Sequence, residues 1–245
     1  VVQAVAIVGY ALVARRLRGY ISLFGWGATA WGYLRRLLTV GFPISFQMVM
    51  ESAAFILTSI LALSFGAEAA GAMQVSFNIA NIAWMITVAI GSASTIVVSH
   101  IYGSKNYKEL RPTILATYHL GLMWALFMAS VFVIFRADIA SLFTDNRATI
   151  LLTAQLMLPI AIYQLSDAVQ ALSVSMMRGL QDVRIIMPIV LCSYLLLNIP
   201  IGCLLAYRFE LECLGLVIGL IVGLSSAAIL TALRIRNRLR HFEAQ

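Results

Sequence analysis

Two acidic side chains, Glu51 and Asp167, lie within long apolar segments, where a carboxylate is costly and by default indicates a functional site. Tyr163 precedes Asp167 by four residues, so the phenol and the carboxyl share one face of a helix. Gln170 follows Asp167 by three residues and extends this polar stripe. Two carboxylates at such positions must be protonated, bind a cation or face a water-filled cavity, and a neighbouring pair can exchange a proton for a metal cation. The pattern predicts one cation-binding site formed by Glu51, Tyr163 and Asp167.

The two acids also lie at a similar depth. Glu51 is 14 residues from Leu37, and Asp167 is 11 residues from Arg178. At the helical rise of about 1.5 Å per residue, each is roughly 15–20 Å from the same membrane interface. A carboxyl that only hydrogen-bonds a neighbouring helix is the structural alternative for either residue.

Three amides are candidate substrate or cavity contacts. Asn78 and Asn81 lie about one turn apart in another apolar segment, and Gln170 belongs to the polar stripe of Asp167. Hydrogen bonding between helices explains Asn78 and Asn81 at least as well as contact with a substrate.

The elements that position these residues follow from composition. Of the 245 residues, 62% are hydrophobic and 11% are charged, with a mean hydropathy of +0.94; a soluble domain has roughly 25% charged residues. The fold class is therefore an all-α polytopic membrane protein. Six apolar segments are each long enough to cross a bilayer; they run over about 37–64, 74–98, 114–135, 148–177, 185–207 and 214–233.

Four parts are predicted along the chain. Residues 1–14 are too few for a span of about 20 residues, so they are expected to be the end of a preceding transmembrane helix. An arginine-rich cytoplasmic loop is expected over 15–36, the six-helix lobe over 37–233, and a basic cytoplasmic tail over 234–245.

Basic residues divide unequally between alternate loops. One set holds only Arg136, Arg147 and Arg208, and the other holds the remaining fourteen of the 17. Short loops rich in Lys and Arg face the cytoplasm. The chain is therefore predicted to be a multi-pass protein of the cell (inner) membrane with its C-terminus inside. The net charge of +7 needs no nucleic acid to explain it.

An enzyme is disfavoured by the motifs. The chain has no His-Glu-x-x-His zinc motif and no Gly-x-Ser-x-Gly nucleophile elbow. Its three cysteines, Cys192, Cys203 and Cys213, show no pairing or metal-type spacing. An intramembrane hydrolase that uses Glu51 and Asp167 as an acid pair stays open as an alternative of another class. No cofactor is expected beyond a coupling ion.

Several short motifs, in order along the chain, resemble the multidrug and toxic compound extrusion transporters, and most closely their NorM-like branch. These are Gly41-Phe42-Pro43-Ile44 followed by Glu51, Gln74-x-x-x-Asn78, Gly103-x-x-Asn106-Tyr107-Lys108, Phe143-Thr144-Asp145, Tyr163-x-x-x-Asp167 and Arg178-Gly179-x-x-Asp182. Each motif is weak alone, but their order and spacing cover nearly the whole chain.

The resemblance implies a twelve-helix transporter of two six-helix lobes, of which this chain is the C-terminal half. It implies that Glu51, Tyr163 and Asp167 bind the coupling cation, with Na⁺ as a candidate metal and H⁺ as the other coupling ion. The implied function is a cation-coupled antiporter that exports organic, often cationic, drugs by alternating access. The implied partners are membrane lipid, the organic cations and an N-terminal lobe of the same protein. A flippase for lipid-linked oligosaccharides is the alternative within the same superfamily.

Overall fold

The computed structural model describes residues 29–243, and within that part of the chain every regular element is a helix. Six of these helices are long and apolar enough to cross a membrane; they are Trp31–Phe65, Ala67–Gly103, Tyr107–Ile134, Arg147–Gly179, Ile186–Arg208 and Glu212–Phe242. In lipid each helix satisfies its own backbone hydrogen bonds, which is why apolar sequence of this length folds as helix. The predicted all-α fold class is confirmed. The predicted partial helix at 1–14 and most of the predicted 15–36 loop lie outside the described residues.

The helices are numbered here in chain order. They are α1 (Thr29–Ala62), α2 (Ala67–Gly103), α3 (Leu110–Ile134), the short α4 (Arg136–Ser141), α5 (Arg147–Gly179), α6 (Ile186–Leu191), α7 (Ile199–Cys203) and α8 (Glu212–Glu243). Two π-helical segments, Cys192–Asn198 and Leu204–Arg208, follow α6 and α7. We call the whole run Ile186–Arg208 the segmented helix.

Helix α1 begins earlier than the hydrophobic pattern predicted. It already includes Thr29–Arg36, which the sequence assigned to the inter-lobe loop. Arginine, leucine and alanine are good helix formers, so the end of an apolar run need not end the helix. Pro43 consequently lies inside α1 and not in its first turn. The chain divides by its contacts into residues 1–39 and 40–245, and the functional residues all belong to the second unit.

Helix α5 occupies the centre of the second unit and packs against α2, α3 and α8. The close approach of α5 to α2 and α3 depends on small residues in those two helices. Gly121 of α3 leaves room for the side chain of Leu172, and Gly91 of α2 leaves room for Ser175. A hydrogen bond of 2.8 Å from Thr95 Oγ1 to the carbonyl of Ser175 adds a polar contact between α2 and α5. This packing fixes the rotation of α5, and with it the direction of its polar stripe.

The segmented helix replaces the single regular span predicted over 185–207. Pro200 has no N–H to donate to the preceding turn, and such a position favours local departure from α-helical bonding. The backbone of this segment packs directly on glycines of α8. A Cβ at Gly215 would meet the backbone of Leu205 and Ala206, and one at Gly219 would meet Gly202. The four-residue glycine spacing therefore serves close helix packing, as the sequence indicated.

Helix α8 continues to Glu243, through most of the segment predicted as a separate basic tail. Arg234 and Arg238 lie one turn apart, and both donate from Nε to Asp182 Oδ2, at 2.8 and 2.9 Å. Phe242 stacks on Tyr107 with the ring centroids 4.9 Å apart. Burial raises the pKa of Asp182, but the hydrogen bonds from Arg238 and Arg234 outweigh it and lower this pKa to about 2. The helix end is thus attached to both neighbouring turns.

Candidate functional site

Glu51 of α1 is held by donors from three elements. Its Oε1 accepts a 2.7 Å hydrogen bond from Gln170 Nε2 of α5 and a 3.2 Å bond from the Tyr194 hydroxyl of the segmented helix. Its Oε2 accepts a 3.1 Å bond from Gln47 Nε2, one turn earlier on α1. Gln170 and Tyr194 are both 1% exposed. Glu51 is half-buried, and the three donors replace much of the hydration that its carboxylate has lost.

Gln47 also contacts a positively charged side chain. Its Oε1 accepts a 2.9 Å hydrogen bond from Nη2 of Arg178, which lies in the last turn of α5. The sequence placed Arg178 in a polar turn, but the side chain reaches back along the helix toward α1. A continuous chain of hydrogen bonds therefore runs from Arg178 through Gln47 to Glu51.

Asp167 is satisfied much less well than Glu51. It is 5% exposed, and its Oδ2 has no hydrogen-bond partner among the described residues. Tyr163, one turn earlier on α5, lines the same cavity as Asp167 and packs edge-on against Phe55 at 6.2 Å between ring centroids. The structure therefore brings Tyr163 and Asp167 together as the four-residue spacing predicted. Glu51 lines this cavity too.

A cavity of about 780 Å³ lies in front of these groups. Its lining includes Glu51, Tyr163 and Asp167, together with the aromatic side chains of Phe55, Phe77 and Trp84, and Asn78 and Asn81. The cavity is within the size range of small-molecule sites, and its walls combine apolar surface with a few convergent polar groups, as such sites usually do.

The three candidate amides have different positions. Asn78 and Asn81 both line the cavity, and Gln74 Nε2 donates to Asn78 Oδ1 at 3.4 Å. Gln170 does not reach the lining, because its side chain is buried behind Glu51 as a hydrogen-bond donor. The sequence correctly placed Gln170 beside the acids, but its contact is with Glu51 and not with the cavity.

Two residues of the site were missed by sequence reasoning. Gln47 lies four residues before Glu51, a spacing that brings side chains together on one helix face, so this contact was available from the sequence. Tyr194 lies 143 residues from Glu51 in a mostly apolar run, and no local pattern indicates that contact. A buried tyrosine usually finds a hydrogen-bond partner for its hydroxyl, and that was the available hint.

The donor set has the chemistry that a hard cation requires. Carboxylate and phenol oxygens are the ligand type that such ions prefer, and the unpartnered Oδ2 of Asp167 is a buried oxygen without a donor. No group of three or more His, Cys, Asp or Glu side chains suited to a metal occurs between residues 29 and 243. A monovalent ion fits this site better than zinc does, because zinc sites need three or four strong protein ligands.

Comparison with known proteins gives consistent matches. The model of the MatE family matches residues 43–204. A probable multidrug resistance protein NorM of Xylella fastidiosa is 32% identical over 235 residues, which are 96% of this chain and 50% of that protein. A multidrug resistance protein NorM of Vibrio vulnificus is 35% identical over 204 residues, which are 82% of this chain and 45% of that protein.

Solved structures show a similar fold. One described as the outward-facing conformation of a multidrug resistance MATE family transporter of the MOP superfamily has a TM-score of 0.83 at 18% identity, covering 92% of this chain and 50% of that chain. The present chain thus spans about half the length of the curated relatives that it matches, 50% in the case of the Xylella protein.

Proposed function

This chain belongs to the MatE family, and on that premise we propose that it forms the C-terminal lobe of a cation-coupled exporter of organic compounds. The transporter is proposed to be an antiporter that works by alternating access, with an N-terminal lobe of the same protein as its other half. Its proposed substrates are organic, often cationic, drugs. Relatives that are 32–35% identical to this chain over the aligned residues are named as multidrug resistance proteins, which supports this substrate class.

One observation carries the proposal. Two carboxylates from different helices, Glu51 of α1 and Asp167 of α5, line a single cavity, and one oxygen of Asp167 has no hydrogen-bond partner within residues 29–243. Such an arrangement can hold a cation, and an ionisable group inside a membrane protein is by default functional. We propose Glu51, Tyr163 and Asp167 as the ligands of the coupling ion, which is Na⁺ or H⁺.

The exchange of the coupling ion for the substrate follows from the negative charge of the acid pair. A bound Na⁺ or proton offsets the negative charge of the acid pair, and an organic cation in the same cavity offsets it equally well. Occupancy by one therefore lowers the affinity for the other, which is the thermodynamic basis of antiport. Phe55, Phe77 and Trp84 line the cavity and present aromatic faces, which attract organic cations. Asn78 and Asn81 supply the polar contacts that we assign to substrate binding.

Orientation is proposed from the basic residues. The fourteen Lys and Arg residues in one set of loops place that side in the cytoplasm, and the end of α8 with it. In a bacterial cell this membrane is the inner membrane. Arg234, Arg236, Arg238 and Arg240 then lie at the cytoplasmic end of α8.

The two alternatives fit the site less well. A flippase for lipid-linked oligosaccharides handles a pyrophosphate, which requires basic side chains, but the cavity lining contains Glu51 and Asp167 and none of the lysines or arginines among the described residues. An intramembrane hydrolase would form product in detergent without any ion gradient. Transport would form none, so this assay separates the two classes.

The decisive experiment measures substrate efflux from proteoliposomes of the intact protein under imposed Na⁺ or H⁺ gradients. Asp167→Asn and Glu51→Gln keep the side-chain size and remove the charge. Coupled efflux is expected to fall sharply in each, and the double variant should lose little more, because residues that act as a unit are non-additive. Tyr118→Phe is the comparison, because the Tyr118 hydroxyl bonds Ser173 outside the cavity lining and the variant leaves both acids and the cavity unchanged.

Wild-type coupling in both carboxylate variants would reduce these acids to structural hydrogen-bonding groups. Correct folding and membrane insertion of each variant are checked by size-exclusion profile before reconstitution.

A further inference from the structure

We propose that Arg178 and Gln47 act together as positioning residues for Glu51. This inference rests on the proposed cation site and assigns it two residues beyond its ligands. The relay is defined as the hydrogen-bonded chain Arg178–Gln47–Glu51, with distances of 2.9 Å from Arg178 Nη2 to Gln47 Oε1 and 3.1 Å from Gln47 Nε2 to Glu51 Oε2.

The chemistry of the amide allows only one orientation in this relay. A guanidinium can only donate hydrogen bonds, and an ionised carboxylate can only accept them. Gln47 must therefore turn its carbonyl to Arg178 and its NH₂ to Glu51, as observed. Arg178 fixes the orientation of the amide, and the amide fixes Oε2 of Glu51. Gln47 is 4% exposed, so no water-filled alternative competes for its two ends.

Arg178 has no other hydrogen-bonding role among residues 29–243. Gln47 is its only hydrogen-bond partner there, it forms no salt bridge with an acid, and its buried Nε has no partner. A half-buried guanidinium without a carboxylate is costly unless it interacts favourably with a nearby charge. Its one described partner, Gln47, connects it to the carboxylate of Glu51.

The contact joins the two helices that supply the proposed ligands. Glu51 lies on α1, whereas Tyr163 and Asp167 lie on α5, which carries Arg178 in its last turn. With Oε2 held by Gln47 and Oε1 held by Gln170 and Tyr194, the carboxylate has a defined direction relative to the α5 oxygens. Groups that orient ligands in this way typically change metal affinity about 10–100-fold when they are removed. The relay should therefore set the affinity for the cation more than the maximal rate of transport.

The first test is spectroscopic and needs no transport. In the infrared spectrum of the intact protein, the carboxyl band of Glu51 is identified by its loss in Glu51→Gln. Gln47→Leu and Arg178→Leu should each shift that band in the same direction, and the double variant should shift it no further than Gln47→Leu alone. Arg178→Lys, which keeps a donor, should restore much of the wild-type position.

Arg184→Leu is the matched control, because this exposed arginine lies outside the relay and should leave the band unchanged. If Arg178→Leu fails to fold, the infrared spectra of Arg178→Gln and Gln47→Leu test the relay in its place. An unshifted Glu51 band in the Arg178 variants, or shifts that add in the double variant, would overturn the relay.

The second test measures transport in proteoliposomes. Arg178→Leu and Gln47→Leu should raise the KM for the driving cation roughly 10-fold or more with a smaller change in maximal rate. Equal losses in both parameters for these variants and for Arg184→Leu would indicate general structural damage and contradict the relay. Absence of ion-coupled efflux in the wild type would contradict the proposed function, and the infrared result would then decide the relay separately.

Discussion

Glu51 and Asp167 differ in how the protein satisfies their oxygens. Glu51 accepts hydrogen bonds from Gln47, Gln170 and Tyr194, whereas Oδ2 of Asp167 has no partner within the described residues. An unsatisfied buried carboxyl oxygen is costly, and native proteins keep such groups chiefly where a ligand, ion or water completes them. At the scale of single residues, Asp167 is therefore the more exchangeable ligand of the proposed site, and Tyr163 is its nearest neutral partner.

Tyr163→Phe is expected to weaken the cation site without abolishing it. The substitution removes one hydroxyl ligand, a contribution of about 1 kcal/mol or roughly fivefold in apparent cation affinity. The KM for the driving ion in proteoliposomes reports this change. Tyr118→Phe is the control, because the Tyr118 hydroxyl bonds Ser173 Oγ at 2.7 Å outside the cavity lining. A cation KM that rises equally in both variants would contradict a ligand role for Tyr163.

At the scale of elements, the ends of the helices make side-chain contacts that are as specific as those of their apolar middles. Asp182 lies in the turn after α5 and pairs with Arg234 and Arg238 of α8, while Phe242 stacks on Tyr107 in the turn between α2 and α3. Helix α8 thereby ties together two turns that are far apart in sequence. Two of the arginines on which the predicted membrane orientation depends therefore also bind an acid of the same protein.

The contribution of Asp182 to stability should depend on pH. Its pKa is lowered to about 2 in the folded protein, below its usual value of about 3.9. A lowered pKa means that the folded state binds the proton less readily than the unfolded state, so the contribution is fully present above about pH 4. It is lost as pH falls toward 2. Thermal unfolding of wild type and Asp182→Asn in detergent should differ at pH 6 and converge near pH 2.

Glu109→Gln serves as the comparison for that experiment, since Glu109 is an exposed acid in the turn before α3. An Asp182→Asn difference that is equally large at pH 2 and pH 6 would show that the carboxylate charge does not stabilise this contact.

For the whole molecule, the arrangement in the bilayer is a prediction from six membrane-length helices and a marked difference in basic charge between alternate turns. Arg147 begins α5 and Arg184 follows it, so we expect these two residues at opposite membrane faces. Lys105 follows α2, which runs in the same direction as α5, and it therefore belongs to the same side as Arg184.

Single cysteines at positions 105, 147 and 184 test this arrangement in intact cells, after Cys192, Cys203 and Cys213 are replaced. An impermeant maleimide is expected to label position 147 and to leave 105 and 184 unlabelled until the cells are opened. Lys105, Arg147 and Arg184 are all exposed, so accessibility within the fold does not limit labelling. Labelling at 105 with protection at 147 would invert the orientation.

The sequence by itself determined the membrane class, the number of full spans and the shared face of Tyr163 and Asp167. These features depend on composition and on the helical repeat, which are local properties. The MatE match over residues 43–204 confirmed the resemblance drawn from the ordered motifs. Helix ends were predicted less well, because α1 and α8 continue past their apolar segments into arginine-rich sequence that still favours a helix.

Only the tertiary structure decided which side chains hold Glu51. Gln170 and Tyr194 are 119 and 143 residues away, and their contact depends on how α5 and the segmented helix are rotated and packed. The π-helical turns around Tyr194 also change the direction of its side chain relative to a regular helix, so a helical-wheel argument could not place it. The contact of Arg178 was likewise not predictable from the sequence. The sequence shows only that Arg178 lies at the end of an apolar segment, whereas the structure gives it one hydrogen-bond partner among the described residues, Gln47, and through it Glu51.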